Sequence, residues 1–271
     1  MICFSAIVPH SPKIIPTINQ EDLDKANKTI NAYKILSKQL AKVKPESLVI
    51  ISSHAPILDG AFSINLAQEY EGNFKSFGDL ITKIQFKGDL ELNYKIREKF
   101  EMDFSASSAD KPDVPLTMMT EPHLDYGTFI PLYYFFQEYK DFSIIPVSHC
   151  SLDYQQHLDF GQKLREELTL TNKRVAIVAS AGLSGCSEKE KPKDTSIGQQ
   201  FDQKMIKLIK NKKTDQILKL NQKLIEKSGQ CGLRPILILL GILKELNYQP
   251  EILSYEAPFG TGYLVANLKF S

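Results

Sequence analysis

Four short apolar runs constrain the fold of this chain more than anything else in it: ICFSAIV (2–8), SLVIIS (47–52), FSIIPV (142–147) and RVAIVA (174–179). Each has the length and β-branched content of a strand and ends in a loop carrying Pro, Ser, His or Gly. Between them, 21–43, 154–168 and 197–226 space their apolar residues at helical intervals, with Lys and Gln on the other face. The stretch GTFIPLYYFFQEYK after Asp125 is also helical in pattern, with Gly127 and Pro131 near its start, where proline costs least. Strands alternating with covering helices predict an α/β fold with a mostly parallel central sheet and helices on both faces. Two β-rich runs flanking APFGTG near the end predict an antiparallel C-terminal edge.

Residues 59–118 mix short β-type runs with a helix near 88–100 and read as an insertion. The run Ser187 to Thr195, alternating Glu, Lys and Pro, reads as a mobile surface loop. No repeat or interdomain linker interrupts the pattern, so 1–271 is expected to form a single domain.

The charge balance, 33 basic against 32 acidic residues, provides no global field for nucleic acid or an anionic membrane. The amino-terminal apolar run lacks a basic flank and a cleavage site, and RPILILLGILKEL falls short of the roughly 20 residues a membrane span needs. The expectation is a cytoplasmic protein with a small-molecule partner, neither nucleic acid nor membrane; assembly into a homo-oligomer stays open. Cys3, Cys150, Cys186 and Cys231 are far apart and form no C-x-x-C pair, so reduced thiols are the simplest expectation.

The histidines carry the chemistry. His10 follows the first strand in VPHSP, His54 the second in SSHAP, and His149 the third in VSHC. Ligands bind outside the carboxyl ends of parallel strands, so these three are expected to converge as a metal or acid/base site. A single histidine after a strand is more often a hydrogen-bonded loop residue; three in the same position favour a common cleft. His123, in EPHLDYG, is a fourth candidate, whereas His157 lies in a helix pattern and reads as structural. Asp59, Glu121 and Asp125 are the carboxylates nearest in sequence, each more often a solvated or capping group. In GQCGLRP, Gln230 and Cys231 precede an apolar helix, either as an anion site on free N–H groups or as an ordinary cap. No phosphate loop, G-x-S-x-G elbow or H-E-x-x-H pair occurs.

Taken in order, IVPHSPKIIP, SSHAP, LDYGTFIPLYYF, CGLRPILILLGIL and LSYEAPFGTGYLVA resemble the catalytic B subunit of the class III extradiol ring-cleavage dioxygenases, in the branch called AmmeMemoRadiSam system protein B. The resemblance implies an α/β fold and a non-haem Fe(II) held by two histidines and a glutamate, with a catechol-type substrate and O2 bound side by side and a further histidine as acid/base. His10 and His54 match the two ligand histidines, and the glutamate position is Gln230. The Gly-Asp-Leu-Ser-His phrase that carries the acid/base reads Ala181, Gly182, Leu183, Ser184, Gly185, and the histidine of Leu-Asp-His-Gly is Tyr126. Metal ligation is thus expected from His10, His54 and Gln230, and acid/base work from His149, His123 or Tyr126. The cofactor expected is Fe(II), with Zn(II) or no metal as alternatives. Function divides between a ring-cleaving dioxygenase whose activity is altered or lost and a non-catalytic Memo-like module that binds a metal, a small aromatic or other ligand, or a protein.

Overall fold

The computed structural model describes residues 1–105, 114–186 and 195–270. In chain order these form β1 (Ile2–Val8), α1 (Asn27–Val43), β2 (Ser47–Ser52), β3 (Phe62–Asn65), β4 (Glu69–Phe74), β5 (Asp79–Gly88), α2 (Leu90–Ser105), β6 (Leu116–Met119), α3 (Tyr126–Glu138) and β7 (Ser143–Ser148). There follow α4 (Tyr154–Leu170), β8 (Val175–Ser180), α5 (Thr195–Lys210), α6 (Thr214–Leu218), α7 (Gln222–Ser228), α8 (Leu233–Ile242), β9 (Tyr248–Glu256) and β10 (Tyr263–Phe270).

The strands make one sheet in the order β4-β5-β7-β2-β8-β1-β10-β9, with β3 and β6 joined beside β7. Its centre, β5-β7-β2-β8-β1, is parallel, and β10 and β9 close one side as the expected antiparallel edge. Every residue of β2 and β8 is buried, which explains why these strands read as continuous apolar runs without polar alternation. Their side chains still divide by period two. Leu48, Ile50, Ala176 and Val178 join α1 and α3 on one face; Val49, Ile51, Ile177 and Ala179 join α2, α4, α5 and α8 on the other.

The residues read as an insertion instead extend the same sheet: β5 pairs parallel with β7, β4 pairs antiparallel with β5, and β3 runs antiparallel to β7. Their short, partly exposed strands carry little hydrophobic signal of their own. The helical pattern over 197–226 resolves into α5, α6 and α7. Lys212 breaks it in the left-handed region (φ 54°), and the Asn221 side chain caps α7 by accepting from Leu224 N at 3.1 Å. Of the expected loop from Ser187 to Thr195, residues 187–194 lie outside the described residues.

Two helices over the second face, α4 and α8, touch backbone to backbone at Gly161 and Gly241. A Cβ at Gly161 would stand 2.1 Å from the Ile238 carbonyl oxygen, and one at Gly241 would stand 2.2 Å from that of Leu158. Helix propensity alone would make Gly161→Ala stabilising by up to about 1 kcal/mol. Because the obstructing atoms are backbone, we expect the opposite sign, a loss of about 1–3 kcal/mol in a denaturant melt. A stabilised variant would disprove the close crossing.

Candidate metal and ligand site

The carboxyl ends of β1, β8 and β2 lie side by side, with Val8 opposite Ser180 and Ile51 opposite Ala179. Beyond them His10 and His54 turn toward each other, Nε2 to Nε2 at 2.9 Å with ring centroids 4.5 Å apart. The Tyr126 ring, in the first turn of α3, stacks on His54 at 4.3 Å, and its hydroxyl stands 2.8 Å from His54 Nδ1. The structure therefore brings His10, His54 and Tyr126 together.

A proline sets the orientation of His10. Residue 131 stands four after Gly127 in α3, and as proline it has no N–H for the Gly127 carbonyl. That carbonyl accepts the Ser180 hydroxyl instead. With its proton so engaged, Ser180 Oγ accepts from His10 Nδ1 at 3.0 Å. His10 is thus the Nδ1–H tautomer and presents the Nε2 lone pair to the site. Asp125 holds the start of α3 in place, accepting from Thr128 N at 3.0 Å and from Ser52 Oγ at 2.6 Å.

Two sulfurs complete the cluster. Cys231 Sγ lies 3.5 Å from His10 Nε2, and the ligating atoms of His10, Cys186 and Cys231 all fall within 4.8 Å of one another. The hydrogen bond between the two thiols draws Cys231 well below the usual thiol range, with His10 and His54 acting the same way against burial, and pushes Cys186 up. The sequence reading missed this pair, which lies 45 positions apart; its only signal was that each cysteine follows one of the two glycine loops already marked.

The loop 181–186 is clamped on both sides. Gly185 N donates to Ser228 O and Cys186 N to Gly229 O, each at 2.8 Å, while Leu183 N and Gly262 N exchange bonds across to Gly262 O and Ser184 O. Gly185, the residue that the resemblance sets against the acid/base histidine, has φ +73°, and a Cβ there would stand 2.1 Å from the Gly260 carbonyl oxygen. A side chain does not fit this loop as it is built.

The other predicted residues stand elsewhere. His149 is buried, its Nδ1 near Cys150 O at 3.3 Å and its ring 6.1 Å from that of His157; burial lowers its pKa. His123 is exposed and lines a neighbouring cavity with Glu121 and Asp125. Gln230 Oε1 accepts from Leu233 N at 2.7 Å, so the amide caps α8. Asp59 is exposed. Two histidines with one carboxylate, the set implied for Fe(II), does not fit these residues: the further donors beside His10 are sulfurs.

Above the cluster opens a cavity of about 440 Å³ walled by Phe77, Tyr126, Phe259 and Tyr263, with His10, His54 and Cys186 also lining it. Lys13 stands at its wall with Nζ 4.8 Å from the centre of the Phe259 ring.

Residues 5–266 match the family described as the catalytic LigB subunit of aromatic ring-opening dioxygenase. The protein CA_C1420 of Clostridium acetobutylicum is 25% identical over 264 residues, which are 97% of this chain and 56% of that protein. This chain thus spans little more than half of that relative. The crystal structure of uncharacterized protein JW3007 from Escherichia coli K12 shares the fold, with a TM-score of 0.66 at 12% identity over 98% of this chain and 99% of the other.

Two outcomes follow from the histidine environments. Ser180→Ala removes the acceptor of His10 Nδ1, so nitrogen NMR should show a mixture of His10 tautomers, with a stability loss of about 1–2 kcal/mol; a single unchanged tautomer would refute the Pro131–Gly127–Ser180 link. His157, fully buried, has its pKa pushed down to about 4 by desolvation, and its Nε2 has no hydrogen-bond partner among the described residues. Above pH 6.5 it is neutral whether folded or unfolded. Below that the unfolded chain takes up the proton first, so stability falls between pH 6.5 and about 4, by on the order of 3 kcal/mol. His157→Gln should flatten that part of the stability–pH curve; an equally steep curve would contradict the assignment.

Proposed function

This chain belongs to the family of the catalytic LigB subunit of aromatic ring-opening dioxygenase, and from that membership we propose that it binds a small aromatic molecule over His10 and His54 without opening its ring. The observation that carries the reading is Gly185. It occupies the acid/base position with a left-handed backbone and no room for a Cβ, while the aromatic cavity beside it is kept. A positioned acid/base contributes about 10²–10⁴ to rate, so its loss is a loss of chemistry more than of binding.

The cavity suits such a ligand. Four aromatic side chains offer faces and edges to a flat ring, and Lys13 provides a cation for an acidic or catecholic oxygen. Ring opening would need another proton carrier. His149 is buried against His157 and His123 lies in the neighbouring cavity, so the phenol of Tyr126 is the remaining candidate, its hydroxyl engaged with His54.

The test is calorimetric titration of a catechol and benzoate panel, paired with oxygen uptake after anaerobic loading with Fe(II). We expect saturable aromatic binding, weakened about fivefold by Phe259→Ala through loss of roughly 1 kcal/mol of ring contact, and oxygen uptake no faster than without protein. A yellow ring-fission product would overturn the loss of chemistry. Absence of binding across the panel would overturn the ligand class.

A further inference from the structure

We infer that His10, His54, Cys231 and Cys186 form a closed, four-coordinate site for a thiophilic divalent cation, Zn(II), in place of an open iron centre. The inference goes beyond the aromatic-binding reading and does not rest on it.

Donor geometry comes first. Tetrahedral zinc with Zn–N of about 2.0–2.1 Å and Zn–S of about 2.3 Å sets its ligand atoms about 3.3 Å apart for two nitrogens and about 3.5 Å apart for nitrogen and sulfur. Cys231 Sγ and His10 Nε2 already stand at 3.5 Å, and the two Nε2 atoms at 2.9 Å need to part by only a few tenths of an ångström. Cys186 Sγ falls within the same 4.8 Å group as His10 and Cys231. The ligating atoms of His10, Cys186 and Cys231 thus gather at one spot, and His54 Nε2, outside that group but beside His10 Nε2, closes in as the fourth donor.

Donor chemistry narrows the ion. Two thiolates and two imidazoles favour zinc over magnesium, calcium or a dioxygenase-type ferrous ion, and two thiolate charges balance a dication without any carboxylate. That accounts for Gln230 being free to cap α8. A fourth protein ligand also fills the position an open catalytic metal keeps for its substrate.

The site is held in shape by groups outside it. Ser180 fixes His10 as the tautomer with Nε2 unprotonated. Cys186 is drawn to the Cys231 loop by the backbone bonds of Gly185 and Cys186 to Ser228 and Gly229, and Thr261 Oγ1 donates to Gly185 O at 2.9 Å. Ligands fixed in this way lose little freedom on binding.

The experiment is Co(II) titration of the reduced, metal-free full chain without any aromatic ligand, followed by Zn(II) displacement. One equivalent of cobalt should give tetrahedral visible absorption and a thiolate-to-cobalt charge-transfer band. In Cys186→Ser and in Cys231→Ser that band should fall to about half, and affinity by about tenfold or more; the double variant should lose it. A spectrum and affinity unaltered by Cys186→Ser, a weak six-coordinate spectrum, or no binding would each overturn the proposal. Alkylation mapped by mass spectrometry needs no variant: Zn(II) should slow labelling of both Cys186 and Cys231 at least about tenfold, and unchanged labelling of either refutes its ligation. Failure of aromatic binding would leave these readouts unmoved.

Discussion

Pro131 has no N–H to give to the Gly127 carbonyl, and from that missing helical bond the order of the site follows. The open carbonyl takes the Ser180 hydroxyl, Ser180 takes the His10 Nδ1 proton, and the His10 Nε2 lone pair turns toward His54 and the sulfurs. A proline six positions into α3 weakens the helix at that point. Here the loss is offset, because α3, β8 and β1 are tied together across a buried hydroxyl where no water is needed to satisfy the carbonyl. The same residue that ranks as a local defect in a helix acts as the orienting device of a site on another element.

The loop after β8 shows the complementary constraint. It is fastened on one side to the turn at 228–229 and on the other to Gly262, so its backbone has no freedom to present a long side chain at Gly185. What it presents is Cys186, one residue later, beside Cys231. The loop has therefore not simply lost groups. Its backbone path carries a sulfur to the floor of the cavity, and the small residues before it are what allow so close an approach to the loops at 228–232 and 260–262.

The fold was legible because the parallel strands are buried on both faces and so announce themselves as short continuous apolar runs. The pairing of β4 with β5 was not, since those strands are half-exposed and their hydrophobic pattern is weak. At the site, His10 and His54 meet because both keep the parity of the side chains facing α1 and α3: Ala6 and Val8 in β1, Leu48 and Ile50 in β2. His149 keeps the parity of Ile145 and Val147, which face the other helical layer, and its ring accordingly lies near His157 of α4. Position after a strand was readable in the sequence; which face that position serves required the period-two count to be carried past the strand end. The cysteine pair was beyond such counting, because the backbone bonds that bring Cys186 to Cys231 run between two loops and leave no periodic trace.

Gln230 links the start of α8 to the donors of the site. Its amide oxygen takes the first-turn N–H of Leu233, so it supports the helix whose preceding turn carries Cys231. A carboxylate would cap that helix equally well and add a favourable charge at its amino terminus. It would also place an anion beside the loop of Cys231, raising the cost of ionising that sulfur. A neutral cap is therefore the one that suits a sulfur donor in the next position. With sulfur donors at the site, Gln230 is left to support the helix, and the aromatic cavity above stays open.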